Sequence, residues 1–197
     1  MNLDKAISLA KERKDTNALA LALNWAVNLA YFERNPAEVD RLASDMIQLS
    51  TRHNLLYFLT VGAIGRGWAR SVSGDTAEGI PWIEHGIRDF RATGSVLGLP
   101  LYLARKAEAL HLANRTSEAL EAMSEAQALA ERFEHRYCLA ELHRLRGVFL
   151  AALGADESQI EASLCEAIRI ARQQKSISLA KRAEATYTEY RKRKTSA

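Results

Sequence analysis

The sequence predicts an all-α solenoid of helix hairpins, and three observations predict it. First, the 197 residues repeat with a period of 40. Ile7, Ile47 and Ile87 form one column, and Leu59, Leu99 and Leu139 a second. Gly67, Ala107 and Gly147 form a third; Gly86, Ala126 and, one residue late, Ala167 form a fourth. Second, turn signals recur in the same register, at Asn35-Pro36, Gly74-Asp75, Asn114-Arg115 and Gly154-Ala155-Asp156. Third, the strong helix formers Ala, Leu, Glu and Arg dominate, and no run of Val, Ile and Thr alternates at period two. A fixed period of about 20–50 residues marks stacked units that bury their apolar faces only against their neighbours.

The elements follow in order. A first helix over 3–13 carries Leu3, Ile7 and Ala10 on one face. Helices 17–33 and 36–52 form the next pair; Asn35 caps the second, and Pro36 fits its first turn, where a missing N–H is harmless. Helices 55–73 and 76–92 are split by Gly74, suited to a left-handed residue, and by Asp75 or Thr76 as the cap. Pro81 removes a backbone bond within 76–92 and predicts a kink. Helices 97–113 and 116–133 are entered past Gly94-Ser95, with Pro100 in the first turn. Helices 136–153 and 157–174 flank Gly154. A helix over 177–192 closes the stack, with Leu179, Ala183 and Thr186 inward and Lys181, Arg182, Glu184 and Glu189 in water.

Loops of two to four residues favour antiparallel hairpins. The expected whole is one domain over 1–197, a right-handed superhelix of the tetratricopeptide kind. It divides into a half repeat 1–15, repeats of about 16–54, 55–94, 95–134 and 135–175, and a closing helix 176–192. The small-residue columns allow close helix approach, since larger side chains would push axes beyond about 8–10 Å. Helix 3–13 aligns with the second helix of a repeat, because Ile7 lies one period before Ile47. Its register partner would be a first helix, so an exposed apolar edge is expected here, open to self-association or to a preceding repeat of a longer protein.

Composition narrows the class. A formal charge of +3 and a pI of about 8.9 do not by themselves point to nucleic acid. Cys138 and Cys165 lack metal-type spacing and fall on adjacent helices at unequal distances from their loop, which argues against a disulfide and fits a reducing cytoplasm. No apolar run approaches the roughly 20 residues of a membrane helix, and the N-terminus reads as no signal peptide.

Several segments resemble a known repeat subtype. Gly67-Trp68-Ala69 followed by Gly74-Asp75-Thr76-Ala77-Glu78-Gly79-Ile80 is one; Arg91-Ala92-Thr93-Gly94 followed by Gly98-Leu99-Pro100 is another. Ala140 to Gly147, reading AELHRLRG, and Glu161 to Gln174 are two more. Together they resemble the C-terminal tetratricopeptide region of large bacterial signalling proteins. In those, a nucleotide cyclase or winged-helix DNA-binding domain precedes an AAA/STAND-type ATPase and then the repeats. The resemblance implies a regulatory, cytoplasmic context and carries over no catalytic residue. Cys165 departs from it, standing where an aromatic is usual.

Candidate sites compete with plainer readings. Gly65-Arg66-Gly67 has Arg70 where a dinucleotide fingerprint needs its third glycine, and no strand precedes it. His135, Cys138, Glu141 and His143 lack a second ligand pair for structural zinc. His85 and His111 stand alone, and Glu118, Glu121 and Glu125 read as a solvated face. Arg191-Lys192-Arg193-Lys194 suits a helix C-terminus better than a phosphate. The column Arg66, Lys106 and Arg146 forms a possible basic ladder for an acidic peptide, whose binding salt would weaken; Trp68 is the candidate pocket wall, against a plain core role.

The expected function is therefore a non-catalytic helical-repeat scaffold for protein–protein or interdomain interaction, with no metal, no cofactor and no membrane or nucleic-acid partner. The alternative is a small-molecule sensor that biases an attached ATPase or cyclase.

Overall fold

The computed structural model describes residues 3–195. Among them the chain forms ten α-helices and no strand. These are α1 (Leu3–Glu12), α2 (Thr16–Phe32), α3 (Pro36–His53), α4 (Leu56–Val72), α5 (Thr76–Ala92), α6 (Leu99–Leu112), α7 (Thr116–Arg132), α8 (Leu139–Ala152), α9 (Glu157–Gln173) and α10 (Ile177–Thr195). The architecture is a tetratricopeptide-like stack of helix hairpins.

One turn design ends nearly every helix. A residue with positive φ stands one or two positions past the helix: Lys14, Arg34, Asn54, Gly74, Gly94, Asn114, Glu134, Gly154 and Lys175. These positions recur every 20 residues until the last, which comes after 21. The next residue then sends its N–H back five positions, at 2.8–3.0 Å, to a carbonyl of the last helical turn. The pairs are Asp15 to Ala10, Asn35 to Ala30, Leu55 to Ser50, Asp75 to Arg70, Arg115 to Leu110, His135 to Ala130, Ala155 to Leu150 and Ser176 to Ala171. This left-handed closure satisfies carbonyls that the helix end leaves open. At three turns the same residue also caps the next helix: the side chains of Asp15, Asn35 and Asp75 accept from the N–H groups of Ala18, Glu38 and Glu78 at 2.9, 3.1 and 3.1 Å.

The turn at Gly94 differs. Ser95 N–H points to Thr93 Oγ1 at 3.3 Å, and a second positive φ follows at Gly98. This delays α6 to Leu99, two residues later than the sequence predicts. A 3-10 turn over Arg136–Cys138 likewise delays α8. Pro81 leaves α5 continuous from Thr76 to Ala92. The final helix runs on to Thr195, beyond the predicted 192.

The chain divides into two compact units, Met1–Val96 and Leu97–Ala197. In the first, α1 packs on α2, α3 lies between α2 and α4, and α5 pairs with α4. Val27, Tyr31, Met46, Ile64, Trp68, Ile83 and Phe90 are fully buried here. In the second, α8 is the central helix, touching α6, α7, α9 and α10.

The small columns sit at hairpin contacts. A Cβ on Gly67 would lie 2.6 Å from the Gly79 carbonyl oxygen and 2.8 Å from Ile83 Cγ1. One on Gly86 would lie 2.6 Å from Ile64 Cγ1, and one on Gly147 would lie 2.6 Å from Leu164 Cδ2. Gly67→Leu and Gly147→Leu should each therefore destabilise by about 1–3 kcal/mol through overpacking, read as a lowered thermal midpoint. Gly154→Ala tests the turn instead. Nothing lies within 4 Å of its added Cβ, but φ is +66°, so a loss of about 1 kcal/mol should come from backbone conformation alone.

Candidate functional site

In the second unit the helices α8 and α10 bring charged side chains together, largely out of water. Glu141 of α8 is only 1% exposed. Its carboxylate accepts two hydrogen bonds from Arg144, at 2.8 and 2.9 Å, in the i,i+3 geometry that a helix supplies. Arg182 of α10 donates a third at 3.3 Å, and Arg144 Nη1 donates to Thr186 Oγ1 at 3.4 Å. Arg105 and Glu108 of α6 are buried as well, with the Arg105 guanidinium 5.8 Å from the Tyr102 ring centre. Arg182 was expected in water; the carboxylate of Glu141 draws it inward.

Next to this cluster a cleft of about 740 Å³ opens between the end of α8, the start of α9 and the last turns of α10. Its floor is apolar: Val148, Ala151, Ile160 and Leu164. Ile160 and Leu164 belong to a buried cluster with Leu150, against which Tyr187 and Tyr190 pack. The rim is polar, with His111, Tyr190 and a Glu189–Arg193 pair at 3.0 Å. Burial holds His111 below the usual histidine range, so it is neutral near pH 7. Its ring lies 4.9 Å from Phe149, and Nδ1 is 3.0 Å from Thr116 Oγ1.

The first unit has a second, more apolar groove of about 490 Å³. Ile47, Leu59 and Gly86 lie at its base; Leu56 and Trp82, 57% and 36% exposed, form its walls.

The residues singled out from the sequence fall in different places. Trp68 has no exposed surface; its ring lies 4.9 Å from that of Tyr31, under the Arg34 guanidinium at 5.1 Å, so it serves the core. Trp82 is the tryptophan that reaches a groove. Arg66 sits 3.5 Å from Asp40 and 5.1 Å from the Trp82 ring centre. Arg146 donates to Gln127 at 3.2 Å. The charge of Lys106 adds to the Arg115 hydrogen bond that holds the Glu118 carboxyl below its usual range. All three members of the basic column are half-buried beside neighbours of their own.

The C-terminal basic run is likewise engaged. Arg191 bonds Glu161, Arg193 bonds Glu189, and Lys194 pairs with Glu157. Cys138, buried, has its thiol pushed up to about 12, and Cys165 is exposed; both are free. Among the described residues no group of three or more His, Cys, Asp or Glu could hold a metal, and no helix is long and apolar enough to cross a membrane.

Comparison with known proteins bears on this architecture. The model of the family described as anaphase-promoting complex subunit 5 matches residues 1–32 and 128–194, together half of the chain. The chain belongs to that family. It is a family of tetratricopeptide-like helical repeats, and the matched residues include α1, α2, α8, α9 and most of α10. An uncharacterized protein of Rhizobium meliloti (strain 1021) is 28% identical over 181 residues, which cover 92% of this chain but 18% of that protein. Among solved structures, Bacillus thuringiensis PlcR in complex with the peptide PapR7 and DNA is similar with a TM-score of 0.70 at 17% identity. That match covers 93% of this chain and 66% of that one. The apo form of RapI is similar with a TM-score of 0.55 at 11% identity, covering 99% and 84%. At such identities the likeness is one of fold.

The buried cluster and the exposed pair on Arg66 should respond differently to truncation. Glu141→Ala removes the buried carboxylate that Arg144 and Arg182 share, and should cost about 3–5 kcal/mol. Arg66→Ala, whose partner Asp40 is half exposed, should cost no more than about 1 kcal/mol. Denaturant midpoints of the two variants check this.

Proposed function

We propose that this chain is a non-catalytic interaction module of a bacterial regulatory protein, and that its second unit binds an extended peptide segment in the cleft beside α8 and α10. The carrying observation is the cleft itself. Its volume of about 740 Å³ is in the range of ligand sites, its floor is apolar, and its rim charges are already paired. Such a site rewards burial of one or two apolar side chains and backbone hydrogen bonding at the rim. The polar groups of the rim face one another, His111 against Thr116 and Glu189 against Arg193, which suits recognition of a bound segment.

Two further facts support the reading. PlcR, of similar fold, was solved with a peptide and with DNA. The sequence resembles the repeat region of multidomain signalling proteins, and the relative from Rhizobium meliloti extends far beyond the matched part. In this proposal the peptide belongs to a partner or to an attached regulatory domain of such a protein.

Selection from a displayed random-heptapeptide library tests it. Peptides with apolar side chains should be enriched on the intact chain. Ala151→Trp, which fills the cleft floor, should abolish their binding while helical content is unchanged. Enriched peptides that bind the Ala151→Trp variant equally well would place binding elsewhere, and a failure to enrich any peptide would contradict the proposal.

A further inference from the structure

The first helices of the hairpins share one register. α2, α4 and α8 end at Phe32, Val72 and Ala152. Leu21, Trp25 and Leu29 on α2 therefore stand where Val61, Gly65 and Ala69 stand on α4, and where Glu141, Leu145 and Phe149 stand on α8. Their surroundings are opposite. The α4 and α8 residues are buried, none of those five side chains more than 3% exposed. Leu21, Trp25 and Leu29 are 49%, 50% and 47% exposed, a continuous apolar stripe at i, i+4 and i+8.

The stacking explains the difference. α4 is covered on this side by α2: a Cβ on Gly65 would meet Val27 Cγ1 of α2 at 3.1 Å. On α8, Phe149 meets His111 of α6, with ring centres 4.9 Å apart. The helices packed on α2 are α1, α3 and α4, so the side that faces backwards along the stack carries no first helix among the described residues. α2 is built for such a neighbour. Its 17 residues contain no charged side chain, in a protein with 26% charged residues. Its polar side chains are Thr16, Asn17, Asn24 and Asn28, so it has no charged face to turn to water, as a helix set between neighbours requires.

We propose that this face of α2 is the docking surface for the first helix of a preceding repeat, carried on a longer polypeptide. The interface would continue the α2–α4 and α6–α8 packing by one step. Its chemistry is specific. The occupant presents an uncharged helical face, and where α2 offers Val27 to Gly65 it must offer Gly or Ala, because Trp25 fills the space that Gly65 leaves open. The Rhizobium meliloti relative matches 92% of this chain within 18% of its own length, so a protein of this kind carries sequence from which such a helix can come. The inference is independent of the peptide cleft, which lies in the other unit.

A register-matched extension tests it. A copy of residues 16–42 is fused ahead of Leu3, which stands one period before Ala43. The copy carries V27A to make room and W25Q to remove its own indole, and Trp82→Phe throughout leaves Trp25 as the exposed reporter. Trp25 emission should shift to the blue and acrylamide quenching of it should be lost. Trp25→Glu should leave the thermal midpoint of the unextended chain unchanged and lower that of the extended one. Persistent quenching of Trp25 in the extended chain would overturn the proposal. So would concentration-dependent shielding of Trp25 in the unextended chain, which would assign the face to a second copy.

Discussion

The structure depends on one constraint: the left-handed residue that closes a helix every 20 residues. At every such turn but the one at Gly94, that residue turns the chain so that the following N–H reaches back five positions to the helix it has just left. The closure does two things together. It satisfies open carbonyls at the helix end, and it fixes the direction in which the next helix starts. Because the left-handed positions recur every 20 residues from Lys14 to Gly154, the helices keep one register even where the connection is longer, as before α6 and α8, and columns of residues one period apart meet equivalent neighbours. The glycines at 67, 86 and 147 have meaning only within that register; each stands where a side chain would collide with the paired helix.

Once the helices are placed, their polar content decides which faces close and which remain available. In the second unit, Glu141 is taken out of water and compensated by Arg144 from its own helix and Arg182 from α10. A carboxylate so buried is costly unless its oxygens are paired, and the pairing ties α10 to α8. This leaves the adjoining cleft with an apolar floor and little uncommitted charge. In the first unit the contrast is with α2, whose exposed Leu21, Trp25 and Leu29 have no polar cover.

Much of this was legible in the sequence. Gly74, Gly154 and Asn114 announce their turns, Asn35-Pro36 announces a capped start, and the four columns announce the hairpins. The turns at Lys14, Arg34, Glu134 and Lys175 were legible only by extrapolating the period, because these residues carry no intrinsic preference for positive φ. The late start of α6 is not encoded in composition, because the role of Gly98 depends on its own positive φ. The site was less legible than the fold. Glu141 and Arg144 are one helical turn apart, a visible pair, but Arg182 joins them across 41 residues, which no local pattern encodes. Trp68 and Trp82 look alike in sequence, and only the packing separates the buried ring from the one that lines a groove.

Family membership and structural likeness fit this picture of a helical repeat array. Left-handed closures recurring about every 20 residues set the register of the helices. Amide hydrogen exchange at the residues that follow the left-handed positions tests this most directly. Exchange should be slow at Asn35, Leu55, Asp75, Arg115, His135 and Ala155, whose N–H groups are bonded back to the preceding helix, and faster at Ser95, whose N–H bonds the Thr93 hydroxyl. Uniformly fast exchange across these turns, with the helices on either side still protected, would contradict it.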